Sequence, residues 1–381
     1  MTQQPIYLDY AAATPMEDRV LAAMQPYFSD QFYNPSATYL PAKHVSQVLM
    51  TARSTIAEWL GARASEIIFT AGGTEANNLA IQGVMRQHPT ANIVVSAIEH
   101  ESVLQTAAQF DVRHAGVDAQ GIVSIEQVGA QIDEDTVLVS IMYANNEVGS
   151  IQPIREIARS IADVRTQRRK DGNTLPIYFH TDAAQAANYL DLHVARLGVD
   201  LMTLNGGKMY GPKQSGVLYV KSDVTLLPLI YGGGQERGLR NGTENVAGAI
   251  GCSMALTIAQ ELRLEEADRL QVLQRYFFEQ LMTQIPSVVI NGSTKKRLPN
   301  NVHITIPNVD NERILMQLDE QDILAAAGSA CSASNEEPSH VLSAMGLSDA
   351  DAQASLRFST GRSTTKEMVD QTVRTLAGFL K

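Results

Sequence analysis

The sequence predicts an α/β protein: a largely parallel sheet covered by helices on both faces, plus a smaller α+β part. Three observations carry that prediction. From about residue 60 to 260, short apolar runs alternate with amphipathic stretches, the pattern of parallel strands joined by crossover helices. Near residue 260 the alternation gives way to a charged helical stretch. The 381 residues, 44% hydrophobic and 19% charged, suffice for one large globular domain and a smaller one.

The elements follow in order. Pro15, Glu17 and Asp18 open a helix reading to about Tyr27. Asn34-Pro35-Ser36 is a turn, and an amphipathic helix runs from about Pro41 to Leu60. Glu66–Thr70, Asn92–Ile98, Val137–Tyr143, Ile177–Thr181 and Asp200–Leu204 read as strands. Helices fill Thr74 to about Arg86 and Ile154 to about Arg169, the second closed by cations at its negative pole. The charged helix runs from Glu261 to about Gln284. Strands at Ser287–Ile290 and Val302–Ile306, a helix near Glu312–Leu318 and a terminal helix from Thr365 complete the chain. On this reading residues 16–263 form the large domain, and residues 1–15 with 264–381 form the small one.

Composition excludes several function classes. A net charge of -11 argues against nucleic acid or an anionic membrane as the main ligand. No apolar run reaches the roughly 18 residues of a membrane span, and Met1–Tyr7 lacks signal-peptide features, so a cytoplasmic protein is expected. Two cysteines, Cys252 and Cys331, are too few for a disulfide framework. Neither His-Glu-x-x-His nor Cys-x-x-Cys occurs, so no metal site is expected.

Open α/β sheets bind ligands at the carboxyl ends of their strands, and those positions hold a coherent set here. After the first strand, Gly72-Gly73-Thr74 offers bare N–H groups and a hydroxyl at a helix start, a phosphate cradle. After the next comes His100, an aromatic ring able to stack on a planar ligand. Asn145-Asn146-Glu147 follows, then Asp182-Ala-Ala-Gln185. A carboxylate such as Asp182 keeps a pyridinium nitrogen protonated. Last is Lys208, among glycines, where partial desolvation favours the neutral amine that Schiff-base chemistry needs.

Taken singly, each has a plainer reading as a helix cap, a helix-start histidine or a solvated lysine. Taken in order, they are the four contacts that pyridoxal phosphate requires. Nucleotide loops do not fit. Met202 and Met209 flank Gly207-Lys208 where a P-loop needs Gly and Ser/Thr, and Arg237 replaces the third glycine of a dinucleotide fingerprint in Gly232–Gly238.

From about Tyr7 to its end, the chain resembles the long-loop (group I) cysteine desulfurases of the class V aminotransferases, which are fold-type I pyridoxal-phosphate enzymes. The resemblance rests on Tyr7-Leu-Asp-Tyr10, Asn34-Pro-Ser36, Gly72-Gly-Thr-Glu75, Glu99-His100, Asn145-Asn-Glu-Val-Gly149 and Asp182-Ala-Ala-Gln185. It continues through Gly232–Gly238, Arg240-Asn-Gly-Thr243, Gly328-Ser-Ala-Cys-Ser-Ala-Ser334, Glu337-Pro-Ser-His-Val-Leu342 and Leu356–Arg362. It implies a mostly parallel seven-stranded sheet sandwiched by helices. It also implies conversion of L-cysteine to L-alanine, with a persulfide on Cys331 that passes to an acceptor such as an iron–sulfur scaffold protein.

By the same resemblance, Lys208 would hold the cofactor covalently and move the substrate α-proton, while His100 would stack on the ring and assist. Asp182 would pair with the pyridine nitrogen and Gln185 with the ring hydroxyl. Gly73, Thr74 and Asn205 would hold the phosphate, with Thr243 reaching across a homodimer. Asn34, Asn146 and Arg357 would grip the substrate carboxylate, for which a guanidinium fork is suited. The chain departs from the family beside its lysine, where Asn205 and Gly207 replace the usual Ser/Thr and His, so a weaker phosphate grip is expected. Rival readings are a selenocysteine lyase or aminotransferase of the same fold, or a low-activity regulatory relative.

Overall fold

The computed structural model describes residues 5–328 and 338–380. A short strand, β1 (Ile6–Tyr7), opens the chain. The central sheet contains β2 (Ile67–Thr70), β3 (Asn92–Ser96), β4 (Asp111–Ala115), β5 (Thr136–Ser140), β6 (Tyr178–Asp182), β7 (Leu201–Asn205) and β8 (Gly216–Val220). Its spatial order is β2-β8-β7-β6-β5-β3-β4. Only β8 runs against its neighbours, β2 and β7. The other six strands point one way, and their carboxyl ends share one edge. The mostly parallel seven-stranded sheet expected from the family resemblance is present.

Side chains alternate across this sheet, as a pleated strand dictates. In β3, Ile93 and Val95 pack into a layer with Leu79 and Val84 of helix Gly73–Met85. Val94 faces the opposite layer, with Ile56 of helix Leu40–Leu60 and Ile157 of helix Ile154–Lys170. Burial on both faces explains why the strands read as continuous apolar runs.

The predicted first helix is shorter than expected: it ends at Met24, and Pro26 begins a separate turn, Pro26–Ser29. Proline lacks the N–H that would continue the ladder. The charged helix is longer. It begins at Val246 and runs 39 residues to Gln284, straight through residue 263. Its first part (Cys252, Leu256, Ala259) is buried in the central core. Its last part (Leu270, Phe277, Leu281) packs in a second core. That core also takes in the antiparallel sheet β12-β10-β9, formed by β9 (Val289–Ile290), β10 (Asn301–Thr305) and β12 (Ser355–Ser359). Strand β1 pairs in parallel with β11 (Ile323–Leu324). The residues after β1 then run along β12, where Ser359 N–H donates to Leu8 O at 2.7 Å.

Candidate active site

The shared edge of the sheet opens into a cavity of about 220 Å³. Gly73, Thr74, His100, Asn146, Asp182, Gln185, Asn205, Lys208 and Arg357 all line it. Residues expected from separate strand ends are thus brought together. Asn34 and Thr243 are exposed and line no part of this cavity. Asn34 instead closes its own turn, accepting from Ser36 N–H at 2.9 Å. Cys331 lies outside the described residues.

Lys208 ends a single 3-10 turn, Gly206–Lys208, immediately after β7. Its Nζ donates to Ala11 O at 2.9 Å and to Ala12 O. The same Ala11 carbonyl accepts from Gln185 Nε2 at 3.0 Å. Asn205, the last residue of β7, caps this turn by accepting from Gly207 N–H at 3.1 Å. Its Nδ2 faces Gly73, where an added Cβ would lie 3.3 Å away. Next door the cavity widens by about 590 Å³ between Gly73, Thr74, Asn205, Gly207 and Lys213.

Helix Gly73–Met85 starts in that space. Its first N–H groups have no intrahelical acceptor and carry the positive end of the helix dipole. Gly72 makes the sharp entrance to the helix with φ 134°, a conformation glycine adopts without strain.

Asp182 ends β6 and is 7% exposed. Its Oδ1 accepts from Ala184 N–H at 2.9 Å, and its Oδ2 accepts from Asn77 Nδ2 at 2.7 Å. Asn77 also donates to Ser102 Oγ at 2.8 Å. Ser102 in turn meets His100 Nδ1 through its hydroxyl at 2.8 Å and its backbone N–H at 3.1 Å. A backbone N–H can only donate, so Nδ1 accepts and the neutral ring carries its proton on Nε2. A continuous hydrogen-bonded path therefore joins His100 to Asp182.

Neither Asn77 nor Ser102 was expected from the sequence. Both also line the cavity, and only their nearness to Thr74 and His100 in the chain hints at a role. Beside them Glu99 is wholly buried and accepts from Met142 N–H at 2.7 Å. Burial, with the Asp182 charge nearby, pushes its carboxyl well above the usual range.

Arg357 sits in β12, 1% exposed. Its Nη2 donates to Asp9 Oδ1 at 2.7 Å and its Nη1 to Asn146 O at 3.1 Å. Its Nε is buried without an acceptor among the described residues. A buried guanidinium on a residue that lines the cavity suits a carboxylate ligand. Cys252 lies in the core, wholly buried, and burial pushes its thiol up to about 12. It is therefore no candidate nucleophile.

A pyridoxal-phosphate-sized ligand meets suitable groups throughout this cavity. A fixed carboxylate, an imidazole and an amine line one part, and the helix start with Asn205 lines the other. Among the described residues no cluster could hold a metal ion, and no helix is long and apolar enough to cross a membrane.

Residues 6–372 match the family model described as aminotransferase class-V. Among curated proteins, the chain is 40% identical over 386 residues to the cysteine desulfurase IscS of Dictyoglomus turgidum, covering 100% of this chain and 95% of that one. It is also 40% identical over 373 residues to that of Methanosarcina thermophila, covering 96% and 89%. Among solved structures, a NifS-like protein superposes with a TM-score of 0.90 at 32% identity, covering 99% of both chains. A structure described as SspA in complex with cysteine superposes at 0.80 with 36% identity, covering 93% and 98%. The chain belongs to the aminotransferase class V family.

Proposed function

We propose that the chain is a pyridoxal-phosphate-dependent cysteine desulfurase that converts L-cysteine to L-alanine and keeps the sulfur as a persulfide on Cys331. The observation that carries this reading is the convergence of Lys208, Asp182, His100 and Arg357 on one cavity at the carboxyl edge of the sheet. Lys208 would hold the cofactor, Asp182 and Gln185 its ring, and Gly73, Thr74 and Asn205 its phosphate. When bound, the cofactor supplies an electron sink for the carbon that loses its proton.

The chain's residues divide the remaining work. Arg357 and Asn146 would seat the substrate carboxylate, and Asn34 would join them. Lys208 Nζ, from a residue that lines the same cavity as His100, would take the α-proton. The Cys331 thiolate would attack the substrate sulfur: an S–S bond forms, the C–S bond breaks, and its electron pair stays on carbon to be protonated as alanine. The outer persulfide sulfur then passes to an acceptor, which we take to be an iron–sulfur scaffold protein. Thiolate chemistry of this kind needs a reducing compartment, so we place it in the cytoplasm.

A homodimer is also proposed, with Thr243 completing the phosphate site of the other copy. Support comes from Phe28, Phe32, Tyr39 and Leu40, large apolar side chains more than half exposed in one stretch. Solvent alone does not favour such a patch. We also propose that residues 16–263 form the large cofactor-binding domain, and that residues 1–15 with 264–381 form a smaller one carrying Cys331.

Purified holoprotein given L-cysteine should yield alanine and a Cys331 peptide heavier by one sulfur, and Cys331→Ser should lose both. No alanine from the wild type would defeat the reading. Alanine without the sulfur adduct would point to a lyase.

A further inference from the structure

The turn after β1 touches Lys208 and Arg357, the two basic side chains at the cavity, from one side. Tyr7 straddles its base: the phenol lies 2.9 Å from both Asp9 O and Ala13 O, sharing its single proton between them. Ala12 N–H closes the turn onto Asp9 O at 3.0 Å. From this turn the Ala11 and Ala12 carbonyls hold Lys208 Nζ, and the Asp9 carboxylate holds Arg357 Nη2. Asp9 keeps 19% side-chain exposure against 1% for Arg357, so the acid reaches inward to a base that is otherwise shut off from water.

We propose that this turn is a positioning element and that Asp9 aims Arg357 at the substrate carboxylate. The proposal rests on the reading of Arg357 given above. A buried guanidinium needs a fixed counter-charge, and an arginine stem left loose would lose rotamer freedom on gripping a ligand. Asp9 and Asn146 O fix two of its five N–H donors in advance, on a side chain that borders the cavity. A substrate carboxylate would take donors that these two partners leave over. Tyr7 acts one step further out, by holding the backbone that carries Asp9.

The test compares full-length holoprotein with Asp9→Asn and Tyr7→Phe. L-Alanine binding is followed by the change in cofactor absorbance, and kcat and KM are measured for L-cysteine. Asp9→Asn keeps an acceptor but loses its charge, so L-alanine binding should weaken and KM rise about tenfold, with kcat changing less than about threefold. Tyr7→Phe should move both in the same direction by about threefold. Cysteamine, which has no carboxylate, should bind all three proteins alike.

Unchanged L-alanine binding in Asp9→Asn would overturn the proposal. So would cysteamine binding weakened by the same factor, because that marks general loosening. If Asp9→Asn does not fold, Tyr7→Phe decides by the same criteria. Failure of the desulfurase reading looks different: L-alanine would still bind in an Asp9-dependent way, but L-cysteine would yield no persulfide.

Discussion

Gly207 leaves room for a Cβ next to Lys208 in the chain, and that room has a consequence for affinity if Lys208 holds the cofactor as proposed. A Cβ built there would meet Asn205 Oδ1 at 3.5 Å and Lys213 Cγ at 3.7 Å, both ordinary contacts. A Cβ, the first atom of the histidine usual in the family resemblance, is therefore accommodated without moving the backbone. One added charge-assisted hydrogen bond to the phosphate should slow cofactor loss about tenfold. Dialysis of Gly207→His beside the wild type, followed by cofactor absorbance, checks this; equal rates of loss would refute it. At this scale the sequence showed the residues that present chemistry at strand ends: Lys208, Asp182, His100 and Thr74. It did not show Asn77, Ser102 or the role of Asp9. Asn77 bonds Asp182, Ser102 bonds His100 and Asp9 bonds Arg357; the Asn77–Asp182 and Asp9–Arg357 pairs lie 105 and 348 residues apart, and no spacing along the chain signals such partnerships.

Strand β2 is tied to helix Leu40–Leu60 by one ion pair from an otherwise irregular loop. Glu236 and Arg237 stand at φ 46° and 60°, left-handed values that cost non-glycine residues energy. The strain is held by what Glu236 meets: Arg53 Nη1 and Nη2, both at 2.6 Å, and Phe69 N–H at 3.0 Å. With 12% and 3% side-chain exposure, this pair is shut off from water. Glu236→Ala strands the guanidinium and should destabilise the protein by about 3 kcal/mol. A double Arg53→Met/Glu236→Met variant should recover most of that loss. Urea midpoints measure both, and a single variant as stable as the wild type would show the pair to be idle. Burial made β3 and β5 legible as apolar runs, but β8 (Gly216–Val220), buried throughout, was not among the strands read from the sequence. Edge strand β4, Asp-Val-Arg-His-Ala with polar exposed positions, carried no such pattern. Helix Val246–Gln284 read as shorter because its apolar first part and charged middle look like separate objects, although one backbone ladder spans both.

Both cores contain a wholly buried histidine, which makes acid sensitivity a property of the whole molecule. In the central sheet His180 lies between Ser140 Oγ at 2.8 Å and Thr203 Oγ1 at 3.1 Å, and burial pulls it down to about 4. In the small sheet His303 meets Asn291 Nδ2 at 3.0 Å. Burial pulls it to about 3, with the Arg297 and Arg357 charges adding to the shift. Unfolded, both take up protons near pH 6.5. Each therefore contributes stability above that pH, which is lost as pH falls toward its folded value. Glu99 works in the opposite sense. Its folded carboxyl is raised, so acidification above the ordinary carboxylate range favours the fold. As pH falls the two imidazoles favour the unfolded chain and the one carboxyl opposes them, so stability should fall from pH 6 to pH 5, by less than the roughly 2.7 kcal/mol that two whole protons would give. His303→Asn removes one of the two imidazoles and should make that fall shallower, although its own stability at pH 7 will be lower. Urea unfolding at pH 7, 6 and 5 reads the slope directly. A wild-type slope of zero would mean that at least one imidazole is already charged in the fold, and a fall confined to one core would separate His180 from His303.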